Sequence, residues 1–198
     1  MSWAIWITGP PGSGKTTLAQ SAAAALAARG IPVKVLELDE IRRAITPRPT
    51  YTDAERDVVY RALAYMAALL VDAGVPVLVD ATAHRRAWRE LARRLIPSFA
   101  EVELRCSVEV CREREQRRRG GQAPAGIYAH SGQPGSTVPG VDVPYEPSVD
   151  AELTLDTQRT DTWSQVQEVV YLARRLERLA PSDRGRSQRR QPCKSETG

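Results

Sequence analysis

Gly9-Pro10-Pro11-Gly12-Ser13-Gly14-Lys15-Thr16 follows directly on an apolar run, Trp3-Ala4-Ile5-Trp6-Ile7-Thr8, and runs into an alanine-rich segment. A strand, a glycine-rich turn and a helix in that order make a phosphate-binding loop. A triphosphate carries several negative charges on closely spaced oxygens, so holding it takes many donors in a small concave space. Glycines at 9, 12 and 14 let the backbone curl until successive N–H groups point inward. The helix starting near Lys15 turns its positive end to the same place. The stretch from Gly9 through Pro10, Pro11, Gly12, Ser13, Gly14, Lys15 and Thr16, with Thr17 beside it, is therefore expected to bind ATP. Lys15 reaches the β- and γ-phosphates, and the Thr16 hydroxyl ligates Mg2+. Lysine is rare here: three of 28 basic residues. One of the three stands where a compact point charge suits the task. A ligand-free Gly/Pro turn is the alternative, and the flanking strand and helix speak against it.

The chain has 198 residues, enough for one domain with a substantial core. We expect that domain over 1–180. After it, Pro-Ser-Asp-Arg-Gly-Arg-Ser-Gln-Arg-Arg-Gln-Pro offers almost nothing to bury, and 181–198 reads as a disordered basic tail. A solvated tail is preferred to a nucleic-acid contact, although net charge is +4. No apolar run reaches transmembrane length, and the N-terminus goes straight into a strand. The expected location is cytoplasmic. Cys106, Cys111 and Cys193 fit a reducing compartment and give no zinc pattern. Cys106 and Cys111 read as apolar fillers.

Strands and helices alternate along the chain. Strands are expected at 3–8, 33–38, 75–79, 100–106 and 152–155. Helices are expected at 18–29, 52–73, 85–95, 108–119 and 162–179, with Thr52 and Glu55 as a capping box. This alternation implies an α/β fold with a five-stranded, mostly parallel sheet and helices on both faces. Ligands then gather at the carboxyl ends of the strands. Gly9, Asp39 and Asp80 are each expected just past such an end, bringing a phosphate loop and two carboxylates to one crevice. Residues 120–148 are rich in Gly, Pro and Ser and follow five arginines. A loop of that length beside a phosphate site reads as a lid, about 115–148, with a bland insertion as the alternative.

Phosphoryl transfer asks for positioning, charge neutralisation and removal of the acceptor proton. Asp39 is placed to orient or deprotonate an acceptor hydroxyl, or to hold a metal-bound water. Asp80 ends a Val-Leu-Val run and is placed to support Mg2+. Either aspartate alternatively caps the next helix. Arg42 and Arg56 offer forks of donors that match the oxygens of an anionic acceptor; solvated surface arginines are the alternative. His84 and His130 have no metal partner in the sequence and read as loop or surface residues.

These motifs resemble adenylylsulfate kinase (APS kinase). The carriers are the phosphate loop, Leu38-Asp39-Glu40-Ile41-Arg42, Tyr51-Thr52-Asp53-Ala54-Glu55-Arg56, Val108 to Arg114, Gly126-Ile127-Tyr128, Gly140 to Pro147 with its Pro144-Tyr145-Glu146, and Leu153-Thr154-Leu155-Asp156-Thr157. The resemblance covers about 3–179. It implies a P-loop NTPase-type three-layer sandwich with a lid. It implies transfer of the ATP γ-phosphate to the 3′-hydroxyl of adenosine 5′-phosphosulfate, with Mg2+, and a possible homodimer. Asp39 falls on the family's essential aspartate, and Lys15 is catalytic with it. Arg42 and Arg56 fall on substrate-binding arginines, Tyr51 on an adenine-stacking aromatic, and Arg114 and Thr157 on the ATP site.

The chain also departs from the pattern. Glu37-Leu38-Asp39 replaces Asp-Gly-Asp, Val59 replaces an asparagine, Ala125 replaces a lid lysine, and Val138 stands near the place of a second stacking Phe. Asp80-Ala81-Thr82 replaces Phe-Ile-Ser. These changes keep two alternatives open. One is a related kinase acting on a different small-molecule or nucleic-acid hydroxyl. The other is a nucleotide-binding regulatory module.

Overall fold

Ala4–Thr8 (β1) is buried at all five positions and forms the middle of the sheet. Its side chains alternate between two cores, as strand geometry requires. Ile5 and Ile7 join one cluster with Leu18, Ala22 and Leu26 of Lys15–Ala27 (α1) and with Val169, Val170 and Ala173 of Thr162–Leu179 (α6). Ala4 and Trp6 join the other, with Val59, Leu63 and Ala67 of Asp53–Asp72 (α3) and Trp88 and Ala92 of Arg86–Leu95 (α4). The structure is a computed structural model describing residues 2–117, 126–133 and 135–179.

The other strands are Lys34–Glu37 (β2), Val77–Asp80 (β3), Phe99–Arg105 (β4) and Leu153–Asp156 (β5). Their order is β2-β3-β1-β4-β5, and every pairing is parallel. Ile5 stands beside Leu78 on one side and Ala100 on the other. A parallel sheet covered on both faces needs continuous apolar strands, and Val77-Leu78-Val79 is wholly buried. The expected α/β three-layer architecture is thus the one adopted. Among the described residues no helix is long and apolar enough to cross a membrane.

Four local expectations are corrected. A short helix that was not expected, Leu38–Ile45 (α2), follows β2 without a break; Asp39 lies just past the end of β2 as expected, but in the first turn of this helix. Asp80 is the last residue of β3, not the residue after it. The capping box is half formed: Glu55 N donates to Thr52 Oγ1 at 3.3 Å, but the Glu55 carboxylate turns to Thr50 and Arg42. Phe99 begins β4 instead of preceding it. Val108–Arg117 (α5) leads toward residues 118–125, which with 134 lie outside the described residues. That part of the expected lid, Ala125 within it, and the expected tail at 181–198 are therefore not described.

Candidate functional site

The loop between β1 and α1 is shaped by its glycines. Gly9, Gly12 and Gly14 take φ of +149°, +78° and +100°, and Gly14 is the N-cap of α1. Space is a second constraint at two of them. A Cβ on Gly9 would lie 2.8 Å from the Leu104 carbonyl oxygen, and one on Gly12 would overlap the carbonyl of Cys111. The wall behind the loop is thus the end of β4 and the first turns of α5. Lys15 Nζ donates to Pro10 O at 3.0 Å, folding the side chain back over the loop.

Thr16 Oγ1 donates to Asp80 Oδ2 at 2.5 Å. Burial pushes the Asp80 carboxyl above its usual range; Lys15 and the Thr16 bond oppose the shift, and Asp39 and Glu37 add to it. Three carboxylates therefore share one electrostatic neighbourhood at the carboxyl ends of β2 and β3. Asp80 caps no helix: the N-terminal residue of α4, Arg86, donates its N–H to Glu146 Oε2 at 2.7 Å. Asp39 and Arg42 stand one turn apart on α2, hence on the same helical face.

Arg42 Nη1 donates to Glu55 Oε1 at 3.0 Å, and its guanidinium lies 5.1 Å from the centre of the Tyr51 ring. Glu55 is in turn gripped by Thr50, whose N–H and hydroxyl both donate to Oε2. Burial alone would raise the Glu55 pKa, but the bonds from Thr50 and Tyr51 and the Arg42 charge hold it below the ordinary value. Tyr51 has φ +54°, an uncommon conformation for a bulky residue. Arg56 is 7% exposed. Its Nη2 donates to Thr137 O at 2.9 Å and Thr137 Oγ1 at 2.7 Å, while its buried Nη1 has no hydrogen-bond partner among the described residues. Burial lowers its pKa. A buried guanidinium with a donor left over is chemically matched to an anion.

On the other side, Arg114 donates to Thr157 Oγ1 at 2.9 Å and to Thr157 O at 2.7 Å, binding α5 to the turn after β5. Tyr128 donates its hydroxyl to Pro11 O at 2.7 Å, and Glu115 accepts from Gly126 N at 2.7 Å. These bonds lay the turn at 126–130 against the phosphate loop.

One cavity of about 800 Å³ collects the two sides. Lys15, Thr16, Asp39, Asp80 and Arg114 line it, and so do Arg42, Tyr51 and Arg56. Pro11, Gly12, Gly14 and Thr17 also face it. Gly9, Pro10, Ser13 and Thr157 are not among the lining residues; Pro10 and Thr157 instead accept hydrogen bonds from the lining residues Lys15 and Arg114. Val59 is fully buried in the α3–α4 core and is not a lining residue, whereas Val138 is part of the cavity wall. Tyr60, His84, Glu115 and Thr137 are among the lining residues to which the sequence reading gave no role in the site. Tyr60 and Thr137 give no sequence signal, since one is a helical core residue and the other lies in the Gly/Pro-rich segment. His84 was expected in a loop or on the surface; it is in a loop, but only 3% exposed. The Pro-Tyr-Glu signature serves the scaffold. Tyr145 OH hydrogen-bonds Thr8 Oγ1 at 2.9 Å, and Glu146 holds the start of α4.

The sequence model of the family described as adenylylsulphate kinase matches residues 1–156. A probable adenylyl-sulfate kinase of Archaeoglobus fulgidus is 37% identical over 164 residues, which is 81% of this chain and 99% of that one. An adenylyl-sulfate kinase of a Synechococcus strain is 37% identical over 153 residues, 77% of this chain and 83% of that one. Among solved structures, the Mycobacterium tuberculosis APS kinase CysC in complex with AMPPNP and APS superposes with a TM-score of 0.76 at 29% identity, covering 87% of this chain and 98% of that chain. Sequence matches over most of the chain and a shared three-dimensional frame agree: the chain belongs to the adenylylsulphate kinase family.

Proposed function

We propose that this chain is an ATP-dependent kinase that transfers the γ-phosphate of ATP to the 3′-hydroxyl of adenosine 5′-phosphosulfate. The observation that carries the reading is the single cavity in which Lys15 and Thr16 share a wall with Arg42, Tyr51 and Arg56. Family membership and relatives named adenylyl-sulfate kinase support the same acceptor.

In this reading the amides of the glycine loop and Lys15 hold the phosphates of ATP, and Arg114 borders the nucleotide. Arg42 and the spare donor of Arg56 hold the anionic end of the acceptor, and the Tyr51 ring offers its face to the adenine. Asp39 accepts a hydrogen bond from the acceptor hydroxyl and takes up its proton as the oxygen attacks phosphorus. A new P–O bond forms to the acceptor, the bond between the γ-phosphorus and the bridging oxygen breaks, and ADP leaves with that oxygen. The residues fit a magnesium ion: a threonine hydroxyl beside a buried carboxylate at the end of a strand is a hard-oxygen donor set. Thr16 and Asp80 would hold it, Asp80 through the hydroxyl or through water. When bound, the ion supplies neutralisation of charge building on the phosphate oxygens. The reading places the reaction in the cytoplasm.

The decisive measurement is a coupled assay of ADP release with ATP, Mg2+ and a panel of hydroxyl acceptors. Turnover with adenosine 5′-phosphosulfate well above that with sugars, gluconate and nucleic-acid 5′-ends is expected. Preference for another acceptor in that panel would overturn the assignment.

A further inference from the structure

The chain between β3 and α4, Ala81 to Arg85, is irregular, with Ala81, Ala83 and His84 buried, and it is tied down at almost every step. Ala81 O accepts from Trp6 Nε1 at 3.2 Å, and Thr82 O from Thr8 Oγ1 at 2.6 Å. Ala83 N donates to Tyr60 OH at 3.0 Å, and Ala83 O accepts from Arg89 Nη1. His84 O accepts from Glu146 N at 2.8 Å. Ala83 has φ +40°, a conformation that L residues rarely adopt. Such strain persists where the surroundings over-determine it, and it gathers at sites that need a side chain aimed.

The side chain that follows Ala83 is His84. Its ring packs edge-on against Trp88, 5.0 Å between centroids, and Trp88 is itself stacked on Tyr60 at 4.1 Å. It lines the cavity with Arg56, Thr82 and Thr137. Its imidazole has no hydrogen-bond partner among the described residues. Burial lowers its pKa to about 4, aided by Arg56 and Arg85 and opposed by Asp53 and Glu146. At neutral pH it is therefore an uncharged ring with one N–H donor and one acceptor nitrogen. Nothing in the transfer chemistry described above uses it.

We infer that His84 is a specificity-determining residue of the acceptor end, donating its imidazole N–H to an oxygen of the acceptor's phosphosulfate group beside the spare donor of Arg56. The inference rests on the proposed acceptor. A neutral donor at this place has a physical advantage. Arg42 and Arg56 already supply charge, and a third cation would repel them and grip any anion alike. A directional hydrogen bond from a fixed ring selects on shape and distance instead.

His84→Phe keeps the edge contact with Trp88 and deletes both polar atoms; His84→Gln restores an N–H. The His84→Phe variant is expected to raise the KM for adenosine 5′-phosphosulfate by about tenfold or more, the scale of a hydrogen bond to a charged partner. The KM for ATP should stay unchanged, and His84→Gln should recover part of the loss. The second measurement leaves His84 in place. The chain has two histidines, so in His130→Gln the only imidazole resonances belong to His84. They are expected to move when adenosine 5′-phosphosulfate is added to the ADP-bound protein, and not to move with gluconate. Normal wild-type turnover with an unchanged acceptor KM in His84→Phe, or with imidazole resonances that stay put at saturation, overturns the inference about His84 alone. No wild-type turnover of adenosine 5′-phosphosulfate would instead remove the acceptor assignment on which it rests.

Discussion

Thr16 and Asp80 are joined by a 2.5 Å hydrogen bond that links the second residue of α1 to the last residue of β3. The phosphate loop is thereby fixed to the sheet by a buried carboxylate whose ionised form is disfavoured, chiefly by burial. A carboxyl whose folded pKa lies above its unfolded one contributes most to stability below the unfolded pKa, and that contribution is lost as pH rises through the folded value. At pH 7 the free protein is therefore penalised by this group. Asp80→Asn keeps an acceptor for Thr16 and removes the charge. We expect its thermal midpoint without ligand to rise at pH 7 and to converge on wild type toward pH 4. The extra stabilisation that Mg2+·ADP gives over ADP alone should shrink. Equal Mg2+-dependent stabilisation in variant and wild type would detach Asp80 from the metal.

Lys15 and Asp39 face the same cavity from the phosphate loop and from α2. Lys15→Ala removes the point charge assigned to the β- and γ-phosphates, and Asp39→Asn keeps the shape but loses the proton acceptor. Each should lower kcat by about a hundredfold or more, the usual scale for a charge-stabilising donor or a general base. Far-UV circular dichroism should be that of the wild type. Near-normal turnover of Asp39→Asn in the ADP-release assay would take the proton-accepting role away from Asp39.

Arg56 Nη1 is buried without a partner among the described residues while Nη2 is held by Thr137. Leaving such a donor unmet is unfavourable, so the site is poised for an anion. Arg56→Ala should raise the acceptor KM by about tenfold or more and leave the ATP KM within about twofold. Arg56→Lys should not rescue it, because an ammonium has no fork with which to hold Thr137 and an anion in one plane. Equal rises in both KM values would place Arg56 outside acceptor binding.

Much of the frame is legible because it rests on local rules. β1, the phosphate loop and α1 follow from an apolar run and three glycines, and α6 follows from the spacing of Val166, Val169, Val170, Ala173 and Leu176. The short helix α2 escaped because Leu38-Asp39 continues the apolar run of β2 with no turn residue between them. His84 escaped for a different reason. Its burial is imposed by Tyr60 and Glu146, which come from two distant stretches of chain, together with Arg89 of the helix that follows it. No window of sequence around residue 84 contains that information. Arg42 and Arg56 could be named as acceptor ligands, yet Glu55 and Thr137, which aim them, could not.

Tyr145 is the central residue of the Pro144-Tyr145-Glu146 motif, but it is not a lining residue of the cavity. Its hydroxyl meets Thr8 Oγ1, whose own proton goes to Thr82 O. Burial pushes the phenol up to about 12, so it stays protonated as a donor across the physiological range. Tyr145→Phe should cost about 1 kcal/mol of stability in urea unfolding, the net worth of one hydrogen bond. The KM values for ATP and the acceptor should not change. A selective rise in either KM at unchanged stability would assign Tyr145 to substrate binding.

Gly12 and Gly30 allow two effects of a methyl group to be separated within one protein. Both have nearly the same left-handed φ, +78° and +79°. A Cβ on Gly12 would run into the Cys111 carbonyl at the start of α5, whereas one on Gly30, just beyond the end of α1, has nothing within 4 Å. Gly30→Ala should therefore lose only the backbone cost of a left-handed alanine, about 1–2 kcal/mol, with ATP binding intact. Gly12→Ala carries the same backbone cost and must also push α5 away from the loop. Because Arg114 and the 126–130 turn are fastened to α5 and the loop, that shift should reach the nucleotide side of the cavity. Calorimetry with Mg2+·ATP is expected to show binding weakened by about tenfold or more in Gly12→Ala, as for loss of a charge-assisted contact, and wild-type binding in Gly30→Ala. If the two variants behave alike, close packing of α5 against Gly12 is not what shapes the phosphate cradle.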